Sequence, residues 1–438
     1  MNPVSLICGA VCAALALTLL RRGTDPLSPG RFFAFIWSAA VGLTSLKLSA
    51  LQHEWAAESW VLLLAGIGAF LGGTFVAWVL NLKTPLLSLG AMRAALREQE
   101  VHEGRLFALV TAGVAVYVTA YALNTMIRGW LPIFVVGSNI SRVEFNVSGL
   151  TLFLYSAAFI LFFTVVYHVT VRGRRGRKAV LGFLAFLTLG SYVLMLQRYQ
   201  IILAAVVCFV FLYYTTRAVR WRTLLPLAAV VGGFFYGIAS LRLGKLVATY
   251  TYSISKMRFP KEYAFLTEPY MYVVMNLENF ATAVRKADHL TWGYFTFDFV
   301  TALAGLKYWA MDYFAVDRSP HLTSSYNTYT AFWWFYSDFG TAGLVLIPFV
   351  LGLGIGLLYY RMRSRPGIGS VAAYGAAVFV MFISYFNFPV SFLWFEYNLL
   401  AMYLFLRWTL VRKSPPSPAG LPAGLVPAGV RAPGGGGE

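Results

Sequence analysis

Apolar runs close to 20 residues long recur from one end of this chain to the other, and that repetition limits the possible folds more than any other feature. A helix rises 1.5 Å per residue, so about 20 apolar residues cover the roughly 30 Å hydrocarbon core of a bilayer. A membrane barrel would instead read as short alternating segments. Eleven runs fit a span: 3–20, 32–51, 60–80, 106–127, 149–171, 179–196, 201–216, 223–240, 341–360, 370–386 and 394–411. Only Gln197-Arg198-Tyr199-Gln200 parts the sixth from the seventh. Charged residues are 12% of the chain, about half the share usual in a soluble protein. The reading is an all-α polytopic integral membrane protein with about eleven transmembrane helices.

The net charge of +18 would suggest a nucleic-acid partner for a soluble chain. The positions of the charges argue otherwise. Loops taken alternately put 22 of the 35 Lys/Arg on one side, in 21–31, 81–105, 172–178, 217–222, 361–369 and from Arg407 onward. The other side's short loops hold three: Arg128, Arg142 and Arg198. By the positive-inside rule the first set is cytoplasmic, so the N-terminus and residues 241–340 lie outside and the C-terminus inside. The basic excess is topological, and nucleic-acid binding is excluded. Four regions follow: eight spans in 1–240, an extracytoplasmic loop with amphipathic helices over 241–340, three spans in 341–411, and a tail over 412–438. That tail, rich in Pro, Ala and Gly, cannot bury a core and is expected to be disordered.

Most features ahead of the long outer stretch have plain explanations. Cys8, Cys12 and Cys208 fall in spans without metal or disulfide spacing. The first run has Arg21-Arg22 after it and no basic residue before it, the reverse of a secretory signal. Lys47 lies inside the second run, where it either snorkels outward near Gln52 and His53 or couples an ion; the latter needs an acidic partner that the pattern does not supply. Residues 81–105 read as an amphipathic helix with Arg93, Arg97, Glu98, Glu100 and Glu103 on its wet side. In the outer loop 128–148, Arg142 departs from the charge trend and serves either function or an ordinary surface pair with Glu144. The run Arg172-Gly173-Arg174-Arg175-Gly176-Arg177-Lys178 reads as an anchor against anionic lipid.

The chemistry is expected at the outer surface. Arg198 opens the seventh run, where free N–H groups and the helix dipole add to its charge, so the place suits a phosphate as well as a lipid headgroup. Residues 241–340 hold nine Lys/Arg and eight acids. Within them Thr267-Glu268-Pro269 reads as a helix start, followed by the apolar stripe Tyr270, Val273, Val274, Leu277, Phe280, Ala281 and Val284, with Asn276 and Asn279 off it. A second stripe, Phe295, Phe299, Leu303, Leu306 and Tyr313, carries Asp298, Lys307 and Asp312 on other faces. These helices are expected to lie at the interface or fold back on the spans as a lid. Asp338 reads as a cap for the next span, Trp333, Trp334 and Tyr336 as an aromatic belt, and Gly352, Gly354 and Gly356 as close helix packing. His289 and His321 lack ligand spacing, and Glu396 starts the last run. No P-loop, Rossmann glycine pattern, Ser/His/Asp order or Asp-x-Asp occurs, which argues against a metal-dependent nucleotide-sugar enzyme.

The segment from Asn327-Thr328-Tyr329-Thr330 to Asp338-Phe339-Gly340-Thr341-Ala342-Gly343, with its glycine-rich span, resembles the late signature of Wzy-type oligosaccharide repeat unit (O-antigen and exopolysaccharide) polymerases. The hairpin Arg198 and the helix from Glu268-Pro269-Tyr270 to Asn279-Phe280 look like the family's other recurring parts, so the likeness covers roughly 190–360. It implies a GT-C-like glycosyltransferase of the bacterial inner membrane, similar in plan to the O-antigen ligases. Such enzymes pass a glycan from undecaprenyl pyrophosphate to the terminal sugar of another lipid-linked repeat unit. The pyrophosphate leaving group then needs cations, for which Arg198 with Arg142 or Arg242 are the candidates. Glu268 and Asp338 are the candidate bases beside a catalytic Arg198, and Gln197, Gln200, Asn276, Asn279, Asn327 and Tyr336 the candidate sugar ligands. No metal or other cofactor is expected; the expected partners are lipid-linked oligosaccharide, membrane lipid, and a chain-length regulator and flippase of the same pathway. One departure is that Gln197 and Tyr199 flank the arginine where the family has glycine or serine. Rival readings are an O-antigen ligase, which differs in its acceptor; a lipid-linked oligosaccharide transporter, which usually shows internal repeats; and a non-catalytic scaffold.

Overall fold

The computed structural model describes residues 3–19, 24–135, 144–217, 247–313 and 326–411. The predicted run 223–240, the tail, Arg142, Arg242 and His321 lie outside the described residues. Those described are helical, with no β-strand among them. In chain order the helices are α1 (Pro3–Leu19), α2 (Pro29–Thr44), α3 (Ala57–Leu80), α4 (Leu89–Arg97), α5 (Glu103–Arg128), α6 (Leu150–Leu154), α7 (Ala157–Thr170), α8 (Arg175–Leu194) and α9 (Tyr199–Thr215). There follow α10 (Val247–Ile254), α11 (Thr267–Lys286), α12 (Asp298–Leu303), α13 (Lys307–Tyr313), α14 (Ala331–Ser364), α15 (Ile368–Ile383) and α16 (Leu393–Thr409). Among the described residues, five stretches are long and apolar enough to cross a membrane: Ala57–Leu80, Glu103–Arg128, Leu150–Thr170, Arg175–Leu194 and Ala331–Ser364. Pro3–Thr18, Tyr199–Thr215 and Ile368–Ile383 are apolar but shorter.

Several boundaries differ from the sequence reading. The second run stops at Thr44 because Thr44 and Ser45 turn their hydroxyls back onto the carbonyls of Ala40 and Val41, 2.8 and 2.9 Å away, and Lys47 adopts φ +51°. Lys47 therefore sits in a loop beyond the helix. The run at 149–171 is two helices, parted at Tyr155-Ser156. In the opposite sense, α14 begins at Ala331, ahead of the expected start, because Phe332, Trp333 and Phe335 are buried. Residues 81–105 give only the short α4, and Arg93 is not on its wet side. Its guanidinium donates to the Tyr213 carbonyl at 2.9 Å and lies 5.9 Å from that ring.

The most extensive helix pair is α3 with α14, and small residues explain its closeness. A Cβ on Gly352 would stand 2.1 Å from the Phe70 carbonyl oxygen, one on Gly356 2.4 Å from the Ala77 Cβ, and one on Gly73 2.1 Å from the Phe349 carbonyl oxygen. These backbones touch through positions four residues apart, as the glycine pattern suggested. Gly354 is the exception, since nothing lies within 4 Å of its would-be Cβ.

Contacts between connecting segments bring 45–55, 195–198, 384–392 and α10–α13 together at one end, the lid end. Residues 24–28, 81–102, 171–174 and 364–367 collect at the other. There Asp25 accepts from Tyr214 at 2.8 Å, Tyr359 at 2.9 Å and Arg363 at 2.8 Å, pinning α9 and α14 to the entry of α2. At the lid end α11 folds back onto α2, α3 and α14, and between Val274 and Val284 only Thr282 is not buried. The second predicted stripe is broken instead of continuous: Gly305, at φ +73°, separates α12 from α13, and Leu303, Leu306 and Tyr313 are exposed. Only Phe295 of that stripe is fully buried, beside Tyr294 and Ala310.

Candidate functional site

Two short turns build the centre of the lid end. After α8, Leu196 takes φ +55°, a left-handed conformation that glycine adopts more readily, and buries its side chain together with Met195. The chain then reverses, and Arg198 becomes the residue before the first turn of α9. The reversal is thus made at Leu196, and Gln197 and Tyr199 do not obstruct it. Opposite, Thr267 and Glu268 open α11, where the helix dipole favours a carboxylate.

These turns bring Arg198 Nη2 to 3.6 Å from Glu268 Oε1, with the two side chains 15% and 14% exposed. The guanidinium also lies 5.7 Å from the centre of the Tyr272 ring, within cation–π range. Tyr272 stands 6.0 Å from Phe386, Phe386 6.1 Å from Tyr199, and Tyr199 6.1 Å from Trp394. The result is an ion pair walled by aromatic rings from α9, α11, the 384–392 loop and α16. Tyr326 belongs to this neighbourhood: burial pushes its hydroxyl up to about 12, with Tyr272 and Glu268 adding to the rise against the hydrogen bond it shares with Ser255. It stays protonated at neutral pH and can donate or accept, but it is no base.

The other expected residues have separate duties. Asn279 donates to the carbonyls of Tyr326 and Thr328 at 3.3 and 2.8 Å, and Asn276 accepts from the Thr328 hydroxyl, so both hold 326–330 against α11. Gln197 accepts from the Tyr192 hydroxyl and donates to Asn146, each at 3.0 Å. Gln200 is buried in the first turn of α9, and its Oε1 has no hydrogen-bond partner among the described residues. Asn327 is exposed, and the Tyr336 hydroxyl donates to the Val284 carbonyl at 3.4 Å. Asp338 does not join Arg198 and Glu268. It is 0% exposed and accepts from the Thr291 hydroxyl at 2.5 Å and from the backbone N–H groups of Phe295 and Thr296 at 3.1 and 2.6 Å. Just beyond it Gly340, at φ +61° and ψ −151°, breaks α14, and the N–H groups of Thr291 and Trp292 take up the carbonyls of Ser337 and Asp338. Asp338 is therefore a brace between the 291–296 loop and the helix break rather than a helix cap. Glu396 is half-buried at the start of α16.

One polar centre at this end was not anticipated. Glu278, 3% exposed, accepts from Lys47 Nζ at 2.7 Å, Trp55 Nε1 at 2.9 Å, Gln52 Nε2 at 3.3 Å and the His53 N–H at 3.3 Å. This supplies the acidic partner that Lys47 lacked in the sequence reading. The only local signal was an acid amid an apolar stripe, which is costly unless paired. Among the described residues no three His, Cys, Asp or Glu side chains converge as a metal site would need. No family model, curated protein or solved structure matches the chain.

Proposed function

We propose that this chain crosses the bacterial inner membrane about eleven times, N-terminus outside and C-terminus in the cytoplasm, and polymerises lipid-linked oligosaccharide repeat units at the outer face. The observation that carries the reading is the Arg198–Glu268 pair, a cation at a helix start facing a carboxylate across 3.6 Å inside an aromatic wall. In glycosyl transfer from a polyprenyl pyrophosphate, the acceptor hydroxyl oxygen bonds to the anomeric carbon as the bond from that carbon to the pyrophosphate oxygen breaks. The leaving group departs as an anion and the hydroxyl proton needs an acceptor. Arg198 suits the first role, with the α9 N-terminus behind it, and Glu268 the second. At rest each neutralises the other. An incoming pyrophosphate would draw the guanidinium to itself and release the carboxylate as a base, which ties proton removal to donor binding.

The Lys47–Glu278 pair does not favour the transporter reading, since a carboxylate held by four donors suits a fixed brace better than a group that must release its ion. Purified protein given a lipid-linked single repeat should produce a ladder of longer lipid-linked glycans. Arg198→Ala should abolish the ladder, and Arg198→Lys, which keeps charge without the planar fork, should retain part of it. A full ladder from folded Arg198→Ala would overturn the assignment, and transfer only to a different acceptor would identify a ligase.

A further inference from the structure

At the end of the bundle opposite Arg198, a cavity of about 440 Å³ opens between α4, the last turns of α7 and α9, and the start of α15. Three basic side chains line it, Arg97, His168 and Arg172, and Leu96, Phe211 and Ile368 form apolar wall. Arg97 and Arg172 are exposed and have no acidic partner among the described residues. The acids nearest in sequence do not compensate them. Glu98 and Glu100 are not in the walls, and Glu103 is engaged by Arg174 at 3.3 Å and Arg177 at 2.8 Å. The frame is fixed, because Gln99 donates to the Pro366 carbonyl at 3.2 Å and accepts from the Ile368 N–H at 2.8 Å, tying α4 to α15. His168 Nδ1 is 2.8 Å from the Thr164 carbonyl, so the ring is tied to its own helix and the two arginines supply the charge.

From this arrangement we infer that the cavity binds a net-anionic phosphate group. Two guanidinium forks match phosphate oxygens, and the apolar wall suits the glyceryl part of a headgroup or the carbon skeleton of a soluble phosphate ester. Basic pockets between helices at a membrane surface are built to this plan. The inference rests on the membrane-spanning reading and is independent of the chemistry at Arg198.

Native mass spectrometry of the full chain in uncharged detergent tests it, with phosphatidylglycerol, phosphatidylcholine and soluble glycerol phosphate as probes. Phosphatidylglycerol should be retained over phosphatidylcholine. The double variant Arg97→Gln/Arg172→Gln should weaken that retention about 25-fold, roughly fivefold per arginine. The corresponding lysine pair should keep most of it, and Arg361→Gln, at the same end outside the cavity, should change nothing. Equal retention of glycerol phosphate assigns the site to soluble esters, and retention of phosphatidylglycerol alone assigns it to lipid; either sustains a phosphate site. Absence of any preference over phosphatidylcholine, unchanged binding in the double glutamine variant, or an equal loss in Arg361→Gln overturns it.

Discussion

Replacing Gly352 by alanine tests the α3–α14 seam, with Gly354→Ala as a matched control on the same helix. The new Cβ at 352 would lie 2.1 Å from the Phe70 carbonyl oxygen, and ordinary C···O contacts are about 3.3 Å or more. Relief requires the backbones to part by about 1 Å locally, and a gap of that size forfeits a quarter to a half of the dispersion attraction at the affected contacts. Overpacking of this kind costs about 1–3 kcal/mol, against which alanine returns up to about 1 kcal/mol of helix propensity. At 354 the same exchange meets nothing within 4 Å and should be neutral or slightly stabilising. Thermal unfolding in detergent, read by the loss of the monodisperse peak in size-exclusion chromatography, should place Gly352→Ala clearly below both the parent and Gly354→Ala. Adding Gly73→Ala should cost less than it does alone, because the first substitution has already parted the helices. Equal midpoints for Gly352→Ala and Gly354→Ala would refute the claim that backbone contact at 352 holds the seam.

Three other outcomes are expected. Glu278→Ala leaves Lys47 and Trp55 without their shared acceptor and should destabilise by about 3–5 kcal/mol, with Lys47→Met/Glu278→Met recovering most of the loss; an equally unstable double variant would show that the pair is not the cause. Gly340→Ala should cost about 1–3 kcal/mol from backbone strain alone, because the nearest atom to its new Cβ, in Leu290, is at an ordinary 3.7 Å; faster hydrogen exchange over 291–296 would report it. At Glu103, desolvation raises the carboxyl, but the Tyr167 hydrogen bond and the charges of Arg174 and Arg177 outweigh it and hold it below 4.5. A depressed folded value means that this stabilisation is present above about pH 4.5 and fades as the pH falls below it, so acid should lower the parent's unfolding midpoint more than that of Glu103→Gln.

The apolar runs were sufficient to foretell most helices, because a helix that faces neighbouring helices on one side and hydrocarbon on the other is apolar all round and leaves a continuous signal. They misled where polar residues terminate a helix, as at Thr44 and Ser45, and where aromatic residues continue one, as at Phe332, Trp333 and Phe335. Arg198 and Glu268 could be singled out by residue type and local pattern, yet nothing local says that they face each other. Partners far apart in sequence were illegible for the same reason. Lys47 carries no mark pointing to Glu278, and Asp25, in a short loop among arginines, gave no sign that two helices would converge on it. Asp338 was recognisable as a helix-associated acid, but its duty depends on the break at Gly340 and on a loop nearly fifty residues earlier.

The bond between Lys47 and Glu278 also sets an order of events during synthesis. The two residues are 231 positions apart, so at about 5–20 residues per second the lysine leaves the ribosome some 10–50 s ahead of its carboxylate. Throughout that interval the loop after α2 holds a cation, an indole N–H and an amide with no shared acceptor. It must remain in contact with water or lipid headgroups while most of the later helices are being inserted. The first hairpin of the bundle is therefore incomplete until α11 arrives.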